Sequence, residues 1–139
     1  MHEPAQVGND YDWAYLSAGI YHVLALKVDG TLWAWGDNYT YQIGNGDTSD
    51  VYAPIQIGTD TDWVWVAAGS SHSYGIKSDG SLWGWGDDYY GQMGNGIGES
   101  DHTTPTQIGT DTDWAYIFTS YDGAQAIKTD GTRWAMGYN

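Results

Sequence analysis

The 139-residue chain has no cysteine, one phenylalanine, three prolines and only four basic residues. Without cysteine there are no disulfides, no thiolate metal sites and no cysteine nucleophile. Four basic residues against 18 acidic ones give a formal net charge of −14, so the chain repels the phosphates of nucleic acid and anionic membrane surfaces. Partners of those two kinds are excluded. No run approaches the about eighteen uninterrupted apolar residues of a membrane span, and the opening stretch MHEPAQVG has neither the basic nor the apolar region of a signal peptide. The compartment stays open, with the outside of the cell or its surface as the expectation.

What the chain does have is nine tryptophans, 12 tyrosines and 20 glycines, and they recur. HVLALKVDGTLWAWGDNYTYQIGNG, from His22, returns as HSYGIKSDGSLWGWGDDYYGQMGNG from His72 and, cut short, as GAQAIKTDGTRWAMGYN from Gly123. Trp13, Trp63 and Trp114 lie 50 and 51 residues apart, and so do Gly30, Gly80 and Gly131. The extra residue falls in the second linker. A period near fifty, filled by four short strand-like runs, fits a propeller blade better than helical repeats of about 33 to 47 residues. The repeats run over 4–53, 54–104 and 105–139.

Each unit reads as four strands. Asp-Gly in KVDGT, KSDGS and KTDGT stands between two apolar runs, the signature of a type I′ hairpin with positive φ at both central residues. In the second unit that hairpin joins HSYGIK to LWGWG. WVWVAAG supplies a third strand and PIQIG a fourth, with Pro54 at its start, where a missing N–H is tolerated. The expected fold is all-β, made of propeller blades of four antiparallel strands. Blades stack face to face, so large side chains must fill the wedge between neighbours. Trp13, Trp33, Trp35, Trp63, Trp83, Trp85, Trp114 and Trp134, together with Trp65, all fall at repeating positions and are assigned to that packing.

AGIYHVLALKVDGTLWAWGDNYTYQIGNG and AGSSHSYGIKSDGSLWGWGDDYYGQMGNG resemble the regulator of chromosome condensation repeat, with its Gly-x-x-His, apolar strand, Asp-Gly, Trp-Gly and closing Gln-apolar-Gly-x-Gly. The resemblance covers nearly the whole chain and implies propeller blades, seven in most members. The third unit departs from it: Ser120 replaces Gly69 and Gly123 replaces His72. Nucleotide exchange on a small GTPase and chromatin docking belong to members with basic or inserted surfaces, which the acidic balance here argues against. The heavy use of Trp, Asp and Gly is more similar to that of bacterial members, among them a propeller that inhibits β-lactamases through loop aromatics.

Propellers use about four to eight blades, and three units leave two open blade faces that would not stay in water. Three outcomes remain: a homodimer closing six blades, a head-to-tail polymer, or a piece of a longer array. If the Pro-x-Gln-apolar strand completes the sheet of the preceding repeat, Pro4 to Val7 has no blade in its own chain and is free to pair with the C-terminal blade of another.

Individual chemistry rises little above this repeat background, and no catalytic set or cofactor loop is expected. His22 and His72 occupy the Gly-x-x-His position and read as buried structural hydrogen bonders; His2 and His102 read as isolated. The Asp clusters GNDYDW and GTDTDW, with DTSD and GESD, offer oxygen ligands for calcium, but Asp is also a common turn residue. GNG at 44–46 and 94–96 lacks the helix and lysine of a phosphate loop and reads as a turn. Positions that differ between repeats, Tyr21, Thr40, Tyr41, Tyr90, Tyr121 and Asp122, fall in loops and are the candidate partner-binding residues. The functional expectation is a non-enzymatic module for self-assembly and protein binding. A glycan-binding propeller and a structural subunit of an extracellular filament are the alternatives.

Overall fold

The computed structural model of the chain describes residues 3–94 and 100–138. These residues form eleven strands: β1 Trp13–Ala18, β2 His22–Lys27, β3 Leu32–Gly36, β4 Val51–Gln56, β5 Trp63–Ala68, β6 His72–Lys77, β7 Leu82–Gly86, β8 His102–Gln107, β9 Trp114–Thr119, β10 Gly123–Lys128 and β11 Arg133–Gly137. They make three antiparallel meanders, ordered β1-β2-β3-β4, β5-β6-β7-β8 and β9-β10-β11. Among the described residues no helix is long and apolar enough to cross a membrane.

The Pro-bearing strands decide how sequence maps onto sheet. β4, with Pro54, pairs with β3 through Trp33↔Gln56 and Ala34↔Ile55; β8, with Pro105, pairs with β7 through Trp83↔Gln107 and Gly84↔Thr106. Each of the first two sheets therefore takes its last strand from the head of the following sequence unit. The described residues form two four-stranded sheets and one of three strands, not three complete sets of four. The residues 4–7, whose sequence matches 54–57 at the end of β4, belong to no strand among the described residues.

The hairpin turns also differ from the type I′ expectation. Gly30, Gly80 and Gly131 have positive φ, but Asp29, Asp79 and Asp130 do not. In the first unit Gly30 N donates to Lys27 O and Lys27 N to Thr31 O, a type I turn followed by one left-handed glycine. The aspartate serves as an acceptor instead. Asp29 Oδ1 takes hydrogen bonds from Thr31 N at 3.0 Å and Thr31 Oγ1 at 2.6 Å, and the Thr31 hydroxyl in turn accepts one from Trp33 Nε1 at 2.9 Å. The same Asp–Ser/Thr–Trp relay recurs from Asp79 to Trp83 and from Asp130 to Trp134.

The core lies between sheets rather than within one. Leu24, Leu26 and Leu32 of the first sheet meet Trp63, Val66 and Trp85 of the second, with Ile43 and Ile57 filling the wedge. Tyr74, Ile76 and Leu82 of the second meet Ile117, Ala124 and Ala126 of the third around Met93. The middle sheet is covered on both faces, and every residue of β6 is buried. A Trp or Leu removed from water in this way stabilises by about 2–3 kcal/mol on area arithmetic, which offsets the entropy of fixing a glycine-rich backbone.

Candidate functional site

Repeated contacts tie each blade to the next. His22 Nε2 lies 2.7 Å from Ser73 Oγ, and Ser73 Oγ donates its only hydrogen to Gln42 O at 2.7 Å. The Nε2 of His22 must therefore carry the proton and donate. His72 repeats the reach toward Gly123 O at 3.4 Å. Both rings are buried. Burial, with His72 nearby, lowers His22 to about 4, and burial likewise lowers His72. Trp65 Nε1 donates to Ile117 O at 2.8 Å and Trp85 Nε1 to Gln42 O at 3.0 Å. Ser70 Oγ donates to Tyr121 O and Thr119 Oγ1 to Ala68 O.

The paired aspartates hold lysines. Lys77 Nζ lies 2.6 Å from Asp60 and 3.3 Å from Asp62, and sits 4.9 and 4.5 Å from the ring centres of Trp63 and Trp83. Lys27 with Asp10 and Asp12, and Lys128 with Asp111 and Asp113, repeat the arrangement. The hydrogen bond to Asp10 raises the Lys27 ammonium above its ordinary range, and the one to Asp111 does the same for Lys128. Carboxylates that read as oxygen donors in sequence thus face a cation supplied by the chain. Among the described residues no three His, Asp or Glu side chains gather as a metal site. His102, isolated in sequence, has its Nε2 3.7 Å from Asp88 Oδ2. His2 and the residues 95–96 of the second GNG lie outside the described residues.

The variable loop residues share one end of the blades. The turns after β1, β5 and β9 and the segments after β3, β7 and β11 come together there: Asp37 N donates to Tyr21 O, Asp87 N to Ser71 O and Tyr138 N to Asp122 O. Tyr21, Tyr90 and Tyr121 are exposed; Tyr41 and Asp122 are half-buried. Tyr41 has φ 61°. The hydroxyl of Thr40 is committed to Gln42 Oε1 at 2.8 Å and Ser71 O at 3.1 Å. Sequence reasoning missed Tyr39, Tyr89 and Tyr138, all exposed at this end. Tyr89 packs on Tyr90 and Tyr90 on Tyr138, with ring centres 4.9 and 5.6 Å apart. Tyr39 and Tyr89 stand at equal positions in two repeats, so a search for differences passes over them. At the same end, burial and the neighbouring Asp87 raise Asp101 above the usual carboxylate range.

The two end sheets are unlike. On the first, Val7, Trp13, Leu16, Trp33, Trp35 and Pro54 line an apolar hollow of about 300 Å³. On the third, Gln125 and Arg133 stand where the first two sheets have Leu24 or Tyr74 and Leu32 or Leu82, and Trp134 is 49 % exposed. A cleft of about 480 Å³ opens beside Trp134, between the second and third sheets.

A profile described as the Regulator of chromosome condensation (RCC1) repeat matches residues 29–76 and 79–123, and a second of the same description matches 13–42 and 64–92. Among curated proteins nothing matches. Of solved structures, human WBSCR16 superposes with a TM-score of 0.85 at 21 % identity, over 96 % of this chain and 35 % of that one. Yeast RCC1 (Prp20), solved with Kap60 bound to it, gives 0.77 at 23 %, over 91 % and 32 %. Prp20p from Saccharomyces cerevisiae, solved in a study of its binding to Gsp1p and histones, gives 0.73 at 21 %, over 96 % and 33 %. The chain spans about a third of the length of these structures, and its three sheets are propeller blades of their kind.

Proposed function

The chain belongs to the regulator of chromosome condensation (RCC1) repeat family, and on that footing we propose that it is a non-enzymatic protein-interaction module that associates with itself through its end blades and offers its tyrosine-rich end to a protein partner. The observation that carries the second half is the collection of exposed Tyr21, Tyr39, Tyr89, Tyr90, Tyr121 and Tyr138 on one end of the blades. Tyrosine supplies broad, rigid contact area at small entropic cost, and loops on a stiff scaffold are where binding residues collect. Among the similar structures, yeast RCC1 binds Kap60, and Prp20p was solved in a study of its binding to Gsp1p and histones. The ionisable groups brought together support a non-enzymatic role: aspartates face lysines, and the buried histidines bridge blades.

The test is a photo-crosslinking residue placed in turn at Tyr21, Tyr121 and, as a control on the opposite end, Val28. One partner band shared by the first two positions and missing from the third supports the reading; equal capture at all three sinks it. Loss of that band to a free sugar would favour the glycan-binding alternative.

A further inference from the structure

We propose that the outer edge of β11 is a docking site for the residues 4–8 of a second copy of this chain, which add as the fourth strand of the third blade. This rests on the self-association reading above and names the contact that produces it.

The docking segment is written in the chain three times. Pro54-Ile55-Gln56-Ile57-Gly58 and Pro105-Thr106-Gln107-Ile108-Gly109 close the first two blades, and Pro4-Ala5-Gln6-Val7-Gly8 is the third instance. Ile57 N donates to Leu32 O and Ile108 N to Leu82 O, each at 2.8 Å, so the equivalent bond runs from the partner copy's Val7 to Arg133. Bonded pairs alternate along antiparallel strands. Ala34↔Ile55 and Gly84↔Thr106 are therefore bonded pairs too, and the matching one is Ala135↔Ala5. In this register the proline nitrogen points away from the sheet, so Pro4 costs no hydrogen bond.

The space fits as well. The hollow lined by Ile57, Trp63, Trp83 and Gly44 is closed by Thr104 and Pro105 of β8 and measures about 370 Å³. Its equivalent one blade on, lined by Ile108, Trp114, Trp134 and Gly94, has no such strand across it and measures about 480 Å³. The loop of the preceding blade holds β8 in place, with Gly46 N donating to Thr103 O at 3.0 Å. Exposure follows the same order: Ile57 is 3 % exposed, Ile108 is partly buried, and Val7 is 86 % exposed. The incoming segment needs no refolding. Its continuation is already anchored to its own first blade, where Val28 N donates to Asp12 O and Lys27 holds Asp10 and Asp12. The exchange then sets the first blade of one copy against the third blade of the other. Two reciprocal exchanges close a ring.

The cysteine-free background makes the test direct. Ala5 and Ala135 are both exposed and small, and directly opposed bonded residues lie about 5.5 Å apart at Cα, within disulfide reach. The double variant Ala5→Cys, Ala135→Cys is oxidised, and each single variant serves as control, with circular dichroism checking that all three fold. The expected result is a disulfide-linked dimer, or a ladder of higher species, formed by the double variant alone and released by reductant. A double variant that links no better than the singles, or closes within one copy, overturns the docking. If the unmodified chain is then a dimer by light scattering, self-association survives without this contact. If it is monomeric, both readings fall.

Discussion

Replacing Trp85 with alanine tests whether the recurring indoles hold blades together. Trp85 is fully buried between the first and second sheets, and a Cβ placed on Gly44 of the preceding blade would lie 2.7 Å from its ring. Its Nε1–H donates to Gln42 O. That carbonyl keeps a second donor in Ser73 Oγ, so the lost hydrogen bond adds only about 1 kcal/mol. Truncating a buried Trp to Ala costs about 3–5 kcal/mol through lost transfer energy and the cavity left behind. Trp35, the same position one repeat earlier, is half-buried on an open face, and its removal should cost about 1–2 kcal/mol. The assay is urea unfolding of both variants followed by circular dichroism at one protein concentration dilute enough to keep the chain monomeric, because self-association would cover the face that carries Trp35 and shift the midpoints. Unchanged slopes would license the comparison. If the two losses agree within about 1 kcal/mol, the indoles are not inter-blade packing and the argument fails.

Other expectations follow from single sites. His22 is ordinarily near 6.5 and is lowered to about 4 in the fold, so between those values the unfolded chain binds a proton that the folded one refuses. Stability should be level above the unfolded value, fall by about 3 kcal/mol as pH drops from 6.5 to 4, and flatten below; His22→Gln, measured by denaturant midpoints across pH, should lose much of that slope. Lys77→Met should cost about 1–2 kcal/mol by stranding Asp60 and Asp62 and removing the cation over Trp63 and Trp83, with a smaller penalty in high salt. Gly80→Ala should be worse than Gly131→Ala when both are unfolded by urea under dilute conditions. Both carry the left-handed strain of about 1–2 kcal/mol, but a Cβ at Gly80 also meets Thr112 O at 2.1 Å, while one at Gly131 meets nothing.

Period and local chemistry were legible in the sequence; partners distant along the chain were not. The spacing of Trp13, Trp63 and Trp114 and the Asp-Gly pairs are local signals, and they led to antiparallel blades. Whether the Pro strand closes its own blade or the preceding one depends on pairing across a loop as long as 37–50, to which hydrophobic pattern is blind. The same holds for the aspartate pairs. Their lysine lies 17 residues beyond the first of each pair, at the end of a strand while they sit in a loop, so the carboxylates read in isolation as cation ligands. The turn type was missed for another reason: Asp-Gly is compatible with two hairpin geometries, and the Thr or Ser after it, which bonds the Asp, selects the one with a single left-handed residue. The polar replacements Gln125 and Arg133 stand in plain view, but only the structure shows that they share the outer face of the last sheet, opposite to the face that carries Ala126 and Trp134.

The most direct test of borrowed edge strands is amide hydrogen exchange at three equivalent positions. Ala34 and Gly84 face β4 and β8, and their amides should exchange slowly at every protein concentration. Ala135 should be as slow in concentrated solution and become fast on dilution, as the second copy's strand departs. An Ala135 amide that exchanges fast at all concentrations, or a Gly84 amide that does, would contradict the account.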